Sequence, residues 1–338
     1  MDRKFSRGFR VLLPTVVALF CFLSPVLATA SDTLPVLGTD AESIKQYDAT
    51  ADDAGRPLRW NLSYMKYNQS LNTKLFDGLT QRGITHIVVN VGLENNLSVI
   101  KSGKLDDDLK QLASEMFRWH QANPQVQLIV RPFHEMNGDW YPRGFKNGHN
   151  HNSIAQFNPA WRHVRNVMHV RFPDLPFMWC PNVNQDNHFI SYYPGNDQVE
   201  YLCFDGYNHS TSQGGWVTME KVFQDSLVAL RSAPGIDPRK PLVIGETATT
   251  EPNTEAAAAG RSKAEWFGPA HGNMGWWLHN EAPKFGVATV LYFNYPDIYT
   301  GKALPPEAYK NDYLIHDPQL RNAAESRTAF RASVHDLP

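Results

Sequence analysis

The sequence lacks a glycine-rich phosphate loop: neither GxGxxG nor GxxxxGK(S/T) occurs in its 338 residues. That removes the usual signatures of dinucleotide and nucleoside-triphosphate binding. Cysteine is scarce, with three in the chain, and Cys21 falls in an N-terminal leader. Cys180 and Cys203 remain, too few for a metal cluster, in strands expected to be parallel neighbours. A disulfide there is awkward geometrically, so two buried thiols are the expected state. Charge is close to balanced, at −2, which argues against nucleic acid or an anionic membrane as partner. Beyond the leader no apolar run approaches the ~20 residues of a membrane span. No repeat or low-complexity linker divides the chain. His149 and His151 form an HxH without Asp, Glu or Cys at ligand spacing, so a solvated loop is expected and no metal or other cofactor is implied.

The leader is built for export. Arg3, Lys4, Arg7 and Arg10 precede the apolar stretch VLLPTVVALFCFLSPVL, and Ala28-Thr29-Ala30 forms an A-x-A cleavage site, so residues 1–30 read as a signal peptide. The expected location is secreted or periplasmic. Residues 31–338 then form one catalytic domain. Four Asn-x-Ser sequons occur, at Asn61, Asn68, Asn96 and Asn208.

From Asn72 onward, helix-like and strand-like segments alternate. NTKLFDGLTQRG reads as a helix stopped by Gly83 and THIVVNVGL as a buried strand. A helix over 105 to 121, strand VQLIVRPF, a helix through PAWRHVRNVMHV and strand PFMWCPN come next. Strand VEYLCFDGYN, helix TMEKVFQDSLVALRS, strand KPLVIGET, a long segment over 261 to 283, strand VATVLYFNYP and a closing helix after Pro318 complete the order. Short β-branched runs separated by helices imply parallel strands. With LPVLGT and LRWNLSYM counted, there are eight, which predicts an α/β fold, a single (β/α)8 TIM barrel. An open doubly wound sheet is the alternative, and the missing phosphate loop disfavours it.

In such a barrel the chemistry sits at the carboxyl ends of strands, and there the chain turns abruptly polar. Those ends carry His134-Glu135, Asn182, then Asp205, Tyr207 and Asn208, then Glu246-Thr247, then Asn294, Tyr295 and Asp297. Strand alternation puts Glu135 on the side of Phe133 and Arg131, and Glu246 on the side of Ile244 and Leu242. Two carboxylates then converge over the barrel mouth with Arg131 beneath. Glycoside hydrolysis needs such a pair, one protonated and one ionised. Trp140, Tyr141, Trp179 and Tyr207 are candidate sugar platforms. Of Trp276 and Trp277, about 100° apart on a helix, at most one faces sugar, and Trp277 is taken. Asn294 is a further candidate contact.

RPFHEMNGDWYP, PAWRHVRNVM, WCPN, YYPGNDQVEYLCFDGYN and KPLVIGET, in this order, resemble glycoside hydrolase family 26, the β-mannanase family of retaining (β/α)8 barrels. The resemblance spans roughly residues 105 to 296. It implies that Glu135 is the acid/base and Glu246 the nucleophile. His134 is expected near the catalytic pair or the sugar, Tyr207 on the nucleophile, Trp140 stacked on a sugar ring, and Asn137 and Arg131 holding the acid/base loop. One departure stands out: Arg143 follows WYP where the family commonly has tryptophan, either favouring an acidic substrate or folding back onto its loop. The implied function is an exported retaining endo-β-1,4-mannanase whose partner is a polysaccharide. Alternatives are the same mechanism on a β-glucan, a xylan or a bacterial exopolysaccharide, or a barrel that binds carbohydrate without cleaving it.

Overall fold

A computed structural model of the protein describes residues 33–144, 152–183, 187–209, 215–295, 312–316 and 322–338. His149, His151, Asp297 and the leader lie outside them. Eight parallel strands form one sheet in the order β4-β3-β2-β1-β8-β7-β6-β5. These are β1 (Val36–Asp40), β2 (Trp60–Lys66), β3 (His86–Gly92), β4 (Gln127–Pro132), β5 (Met178–Trp179), β6 (Tyr201–Asn208), β7 (Leu242–Thr249) and β8 (Val287–Tyr292). A parallel bridge between Val130 and Phe177 brings the two ends of the sheet together, so the strands make a nearly closed (β/α)8 barrel, as predicted. Among the described residues no helix is long and apolar enough to cross a membrane.

Two apolar layers hold the barrel. Leu62, Val88, Ile129, Met178, Val243 and Leu291 fill its interior. Ile87, Val89, Leu128, Val130, Leu202 and Ile244 face outward toward the helices. Gly38 on β1 is required by this filling, because a Cβ there would lie 2.2 Å from Leu291 Cδ2 and 2.7 Å from Trp60 Cβ.

The helices between strands are α1 (Ile44–Ala54), α2 (Thr73–Gln81), α3 (Leu97–Lys101), α4 (Asp106–Ala122), α5 (Ile154–His169) and α6 (Met219–Ser232). Their starts follow capping chemistry: the side chains of Ser43, Asn72 and Thr218 accept backbone N–H groups of the first turns of α1, α2 and α6. After β7 come α7 (Thr254–Ala258), α8 (Lys263–Phe267) and α9 (Met274–Asn280), and α10 (Ala323–Val334) closes the chain. The segment over 261 to 283 is therefore not one helix. Gly268, Pro269 and Gly272, the last at φ +83°, break it into two.

The cysteines also depart from expectation. The register Met178 to Tyr201 and Trp179 to Leu202 sets Cys180 opposite Cys203, with Cα atoms 4.3 Å apart, and the two form a disulfide inside the barrel. Of the sequons, Asn61 and Asn208 are buried and hydrogen-bonded to protein groups. The Asn96 side chain caps α3, and Asn68 is exposed.

Candidate active site

Strand alternation does not orient Glu135. Arg131 points into the barrel, whereas the Phe133 ring turns outward, 5.4 Å from Phe157 and 6.0 Å from Trp161. The backbone makes the switch, with Phe133 at φ 55° and Glu135 at φ 52°, conformations that side-chain-bearing residues adopt only when their surroundings hold them. The hold here is hydrogen bonding: Glu135 N–H donates to Cys180 O at 2.7 Å and Gly138 N–H to Glu135 O at 3.0 Å. Asn137 clamps the loop to the end of β5, donating to Asn182 O at 2.8 Å and accepting Asn182 N–H at 2.9 Å.

Glu246 reaches the interior by a different route. Between Ile244 and Thr247, β7 takes three steps while β8 takes two, from Val290 to Tyr292, which is a bulge. Gly245 and Glu246 consequently both border the interior, although Ile244 and Leu242 face the helices. Only glycine fits at 245, since a Cβ would meet Cys203 Sγ at 2.4 Å, Asp205 Oδ1 at 2.7 Å and Arg131 Nη1 at 3.1 Å.

The two glutamates converge. One oxygen each of Glu135, Asp205 and Glu246 lie within 4.8 Å of one another, a closeness compatible with a retaining pair, whose carboxyl groups lie about 5 Å apart. Their environments differ. Among the described residues Glu135 accepts from neutral donors, Asn182 Nδ2 at 2.8 Å and Trp140 Nε1 at 2.7 Å. Burial first, and the Glu246 charge second, push its pKa to about 7. Glu246 accepts from the Arg131 guanidinium and the Tyr207 hydroxyl, and from Tyr64 Oη at 2.5 Å.

Arg131 is fully buried. Its Nη1 reaches both oxygens of Asp205 at 2.9 Å and its Nε donates to Asn90 Oδ1 at 2.9 Å. It thus fixes the nucleophile candidate and Asp205, not the acid/base loop. Burial opposes its charge, but the two carboxylates hold it protonated, and it supplies among them the positive charge that a metal would otherwise bring. The disulfide lies beneath: Cys180 Sγ is 3.2 Å from Asp205 Oδ1, a contact without a proton, since neither sulfur carries one.

His134 stands beside this group. Arg143 Nη2 donates to its Nδ1 at 3.0 Å and to its carbonyl oxygen at 2.9 Å. The ring proton is therefore on Nε2, donating to Tyr141 Oη at 2.7 Å. Burial and the Arg143 charge keep the imidazole neutral. Arg143 is 1% exposed and lies 3.9 Å over the Tyr141 ring, so it folds back onto its loop and is not a rim group for an acidic substrate. Burial lowers its pKa to about 10. Trp140, 43% exposed, offers an open ring face while its nitrogen is committed to Glu135. Tyr207 is propped by Tyr313, His209 and Phe293 at 5.2, 5.3 and 5.7 Å between ring centroids.

Three expected sugar contacts are elsewhere. Trp277 is fully buried against Phe223 between α9 and α6, and its neighbour Trp276 pairs with His271. Trp179 is fully buried and donates to Tyr192 O at 3.1 Å. Asn294 spends its side chain on Thr50 Oγ1 and Ile315 N–H, both at 2.9 Å, closing β8 onto α1 and the 312–316 segment. Conversely, Tyr64 touches Glu246, Asn90 touches Arg131 and Asn182 touches Glu135; of these three, only Asn182 was among the polar strand ends read from the sequence. The signal was present for Tyr64 and Asn90 too: each is a polar group near the end of an apolar strand, but in β2 and β3, ahead of the segments that carry the family resemblance.

Comparison with known proteins agrees with this geometry. A sequence model described as glycosyl hydrolase family 26 matches residues 71–267. Endoglucanase H of Acetivibrio thermocellus is 30% identical over 189 residues, 54% of this chain and 19% of that protein. Mannan endo-1,4-beta-mannosidase A and B of Caldalkalibacillus mannanilyticus is 28% identical over 160 residues, 40% of this chain and 31% of that protein. The chain thus spans less than a third of either. Among solved structures, the catalytic domain of the Bacillus sp. JAMB-750 GH26 endo-beta-1,4-mannanase superposes with a TM-score of 0.64 at 13% identity, covering 92% of this chain and 88% of that one. GH26C from Muricauda sp. MAR_2010_75 gives 0.60 at 17%, covering 92% and 90%. At such identities the likeness is one of fold.

Proposed function

The chain belongs to glycosyl hydrolase family 26, and from that premise we propose that it is an exported, retaining glycoside hydrolase acting within β-1,4-mannan. The observation that carries the reading is the pair Glu135 and Glu246, close together with opposite electrostatic support. Glu246, held by Arg131, attacks the anomeric carbon while Glu135, protonated up to about pH 7, gives its proton to the departing oxygen. The glycosyl ester that forms has no negative charge, so part of what raised the Glu135 pKa is gone. Glu135 then ionises and takes a proton from the water that releases the sugar. Trp140 offers its open face to a sugar ring, and the neutral His134 and Tyr141 line the site beside it.

Mannan is supported by a relative named as a mannan endo-1,4-beta-mannosidase. A second reading, a β-glucan, is favoured by the likeness to Endoglucanase H. Export is supported by the leader and by a disulfide, which persists in oxidising compartments. The test is reducing-end release by the mature protein and its Glu246→Ala variant on mannan, galactomannan, mixed-linkage glucan, xylan and an acidic exopolysaccharide. Cleavage of the first two by wild type only is expected. Cleavage of mixed-linkage glucan alone would shift the assignment, and turnover by the variant equal to wild type would overturn the mechanism.

A further inference from the structure

Tyr64, Asn90 and Arg131 are register partners across β2, β3 and β4, so they stand at one height inside the barrel. The Tyr64 ring lies 5.8 Å from Arg131 Cζ and edge-on to His134, with centroids 6.1 Å apart. Those contacts aim its hydroxyl at Glu246 Oε1, 2.5 Å away. Arg131 Nη2 binds that same oxygen, whereas among the described residues Tyr207 alone binds Oε2. A carboxylate oxygen accepts two in-plane hydrogen bonds. Oε1 is therefore saturated and Oε2 keeps a free lone pair.

We infer that Oε2 of Glu246 is the attacking atom and that Tyr64 is a positioning residue, which acts through Oε1 of Glu246 to assist release of the glycosyl ester. The inference rests on the retaining reading above. In the first half, the Oε2–C1 bond forms, the bond to the leaving oxygen breaks, and Glu135 supplies the proton. In the second, water attacks C1, Glu135 takes its proton, and the Oε2–C1 electron pair returns to the carboxylate. Throughout, Oε1 is the spectator, becoming the ester carbonyl and then a carboxylate oxygen again. A hydrogen bond to Oε1 strengthens as charge returns and weakens as charge is spent. Tyr64 consequently favours breakdown of the ester over its formation. Burial keeps its phenol protonated and able to donate. Among the described residues, the other ionisable groups facing Glu246 are Arg131 and Glu135 from β4 and its loop, Asp205 and Tyr207 from β6, and Asp40 from β1.

The test is Tyr64→Phe, which keeps the ring and removes the hydroxyl, assayed with 2,4-dinitrophenyl β-mannobioside or β-cellobioside, whichever wild type turns over. Slower ester breakdown lowers kcat by about tenfold, and because the same bond held back ester formation, kcat/KM is unchanged or higher, so KM falls at least as far as kcat. A burst of dinitrophenolate near one equivalent accompanies it, with a glycosyl adduct in the intact mass. A packing defect would instead lower kcat/KM without a burst, and that result would overturn the assignment. Site-specific 3-fluorotyrosine at position 64, a stronger donor, is an independent check: breakdown speeds up, and an unchanged or slower rate would contradict the inference. Product stereochemistry separates this from the wider reading, because an inverted first product sinks both, whereas retention without a burst sinks only the Tyr64 role.

Discussion

Replacing Trp140 by Phe keeps a ring over the acid/base loop and deletes one proton donor. Trp140 Nε1 donates to Glu135 Oε2 at 2.7 Å, and Asn182 donates to the other oxygen at 2.8 Å. Both bonds favour the ionised carboxylate, opposing the burial that raises the Glu135 pKa to about 7. Removing one favours the protonated form, so that pKa rises further. A hydrogen bond to a charged group contributes about 1.5–3 kcal/mol. Trp140 is 43% exposed, so water replaces much of it, and roughly half survives as a net effect. At about 1.4 kcal/mol per pH unit, the alkaline limb of kcat/KM should move up by about half to one unit. The assay is kcat/KM across pH 5 to 9 on a soluble glycan, with KM compared at the optimum, where loss of the indole raises it modestly. An alkaline limb that stays put or moves down would refute the assignment of Glu135 as the group that must be protonated.

Glu135 should also weaken the fold. The native carboxyl keeps its proton up to about pH 7, while the unfolded one releases it near 4.5, so between these values the native state binds more protons and stability falls as pH rises. Above about pH 7 the penalty is complete, about 3 kcal/mol. Glu135→Gln should then be more stable than wild type at pH 8 and indistinguishable at pH 4 in urea denaturation; equal gains at both would contradict the pKa. Removing the disulfide, which joins positions 23 apart, with a Cys180→Ser/Cys203→Ser double variant should cost about 3 kcal/mol, and thiol titration of the denatured native protein should find neither cysteine free. Gly245→Ala forces a Cβ within 2.7 Å of Asp205 Oδ1. It should lower the melting temperature by several degrees and reduce kcat at least tenfold; a variant with wild-type kcat would mean that the Asp205–Arg131 pair does not govern Glu246.

How legible all this was in the sequence depended on the kind of signal. The eight strands and most helices were readable because apolar runs and their periods report burial directly, as in Ile87–Val89 or Val222–Leu230. The convergence of Glu135 and Glu246 was readable from residue type at strand ends, but the geometric reason given for it was wrong. Period-two alternation cannot anticipate a left-handed Phe133 or a bulge at Gly245 and Glu246, because both are set by partners distant in sequence. The same limit explains the disulfide, which depends on a two-residue register between β5 and β6. Trp277 and Asn294 were misplaced for a related reason. An aromatic or an amide at a strand or helix end is chemically suited to sugar, and only packing shows that Phe223 and Thr50 have already claimed them.

The measurement that bears most directly on the central claim is the anomeric configuration of the first product, followed by proton NMR during hydrolysis of a mannan oligosaccharide. Two carboxylates this close, one protonated and one held by Arg131, predict a β-anomer that appears first and then mutarotates. An α-anomer appearing first would require water, not Glu246, to attack, and would contradict the account.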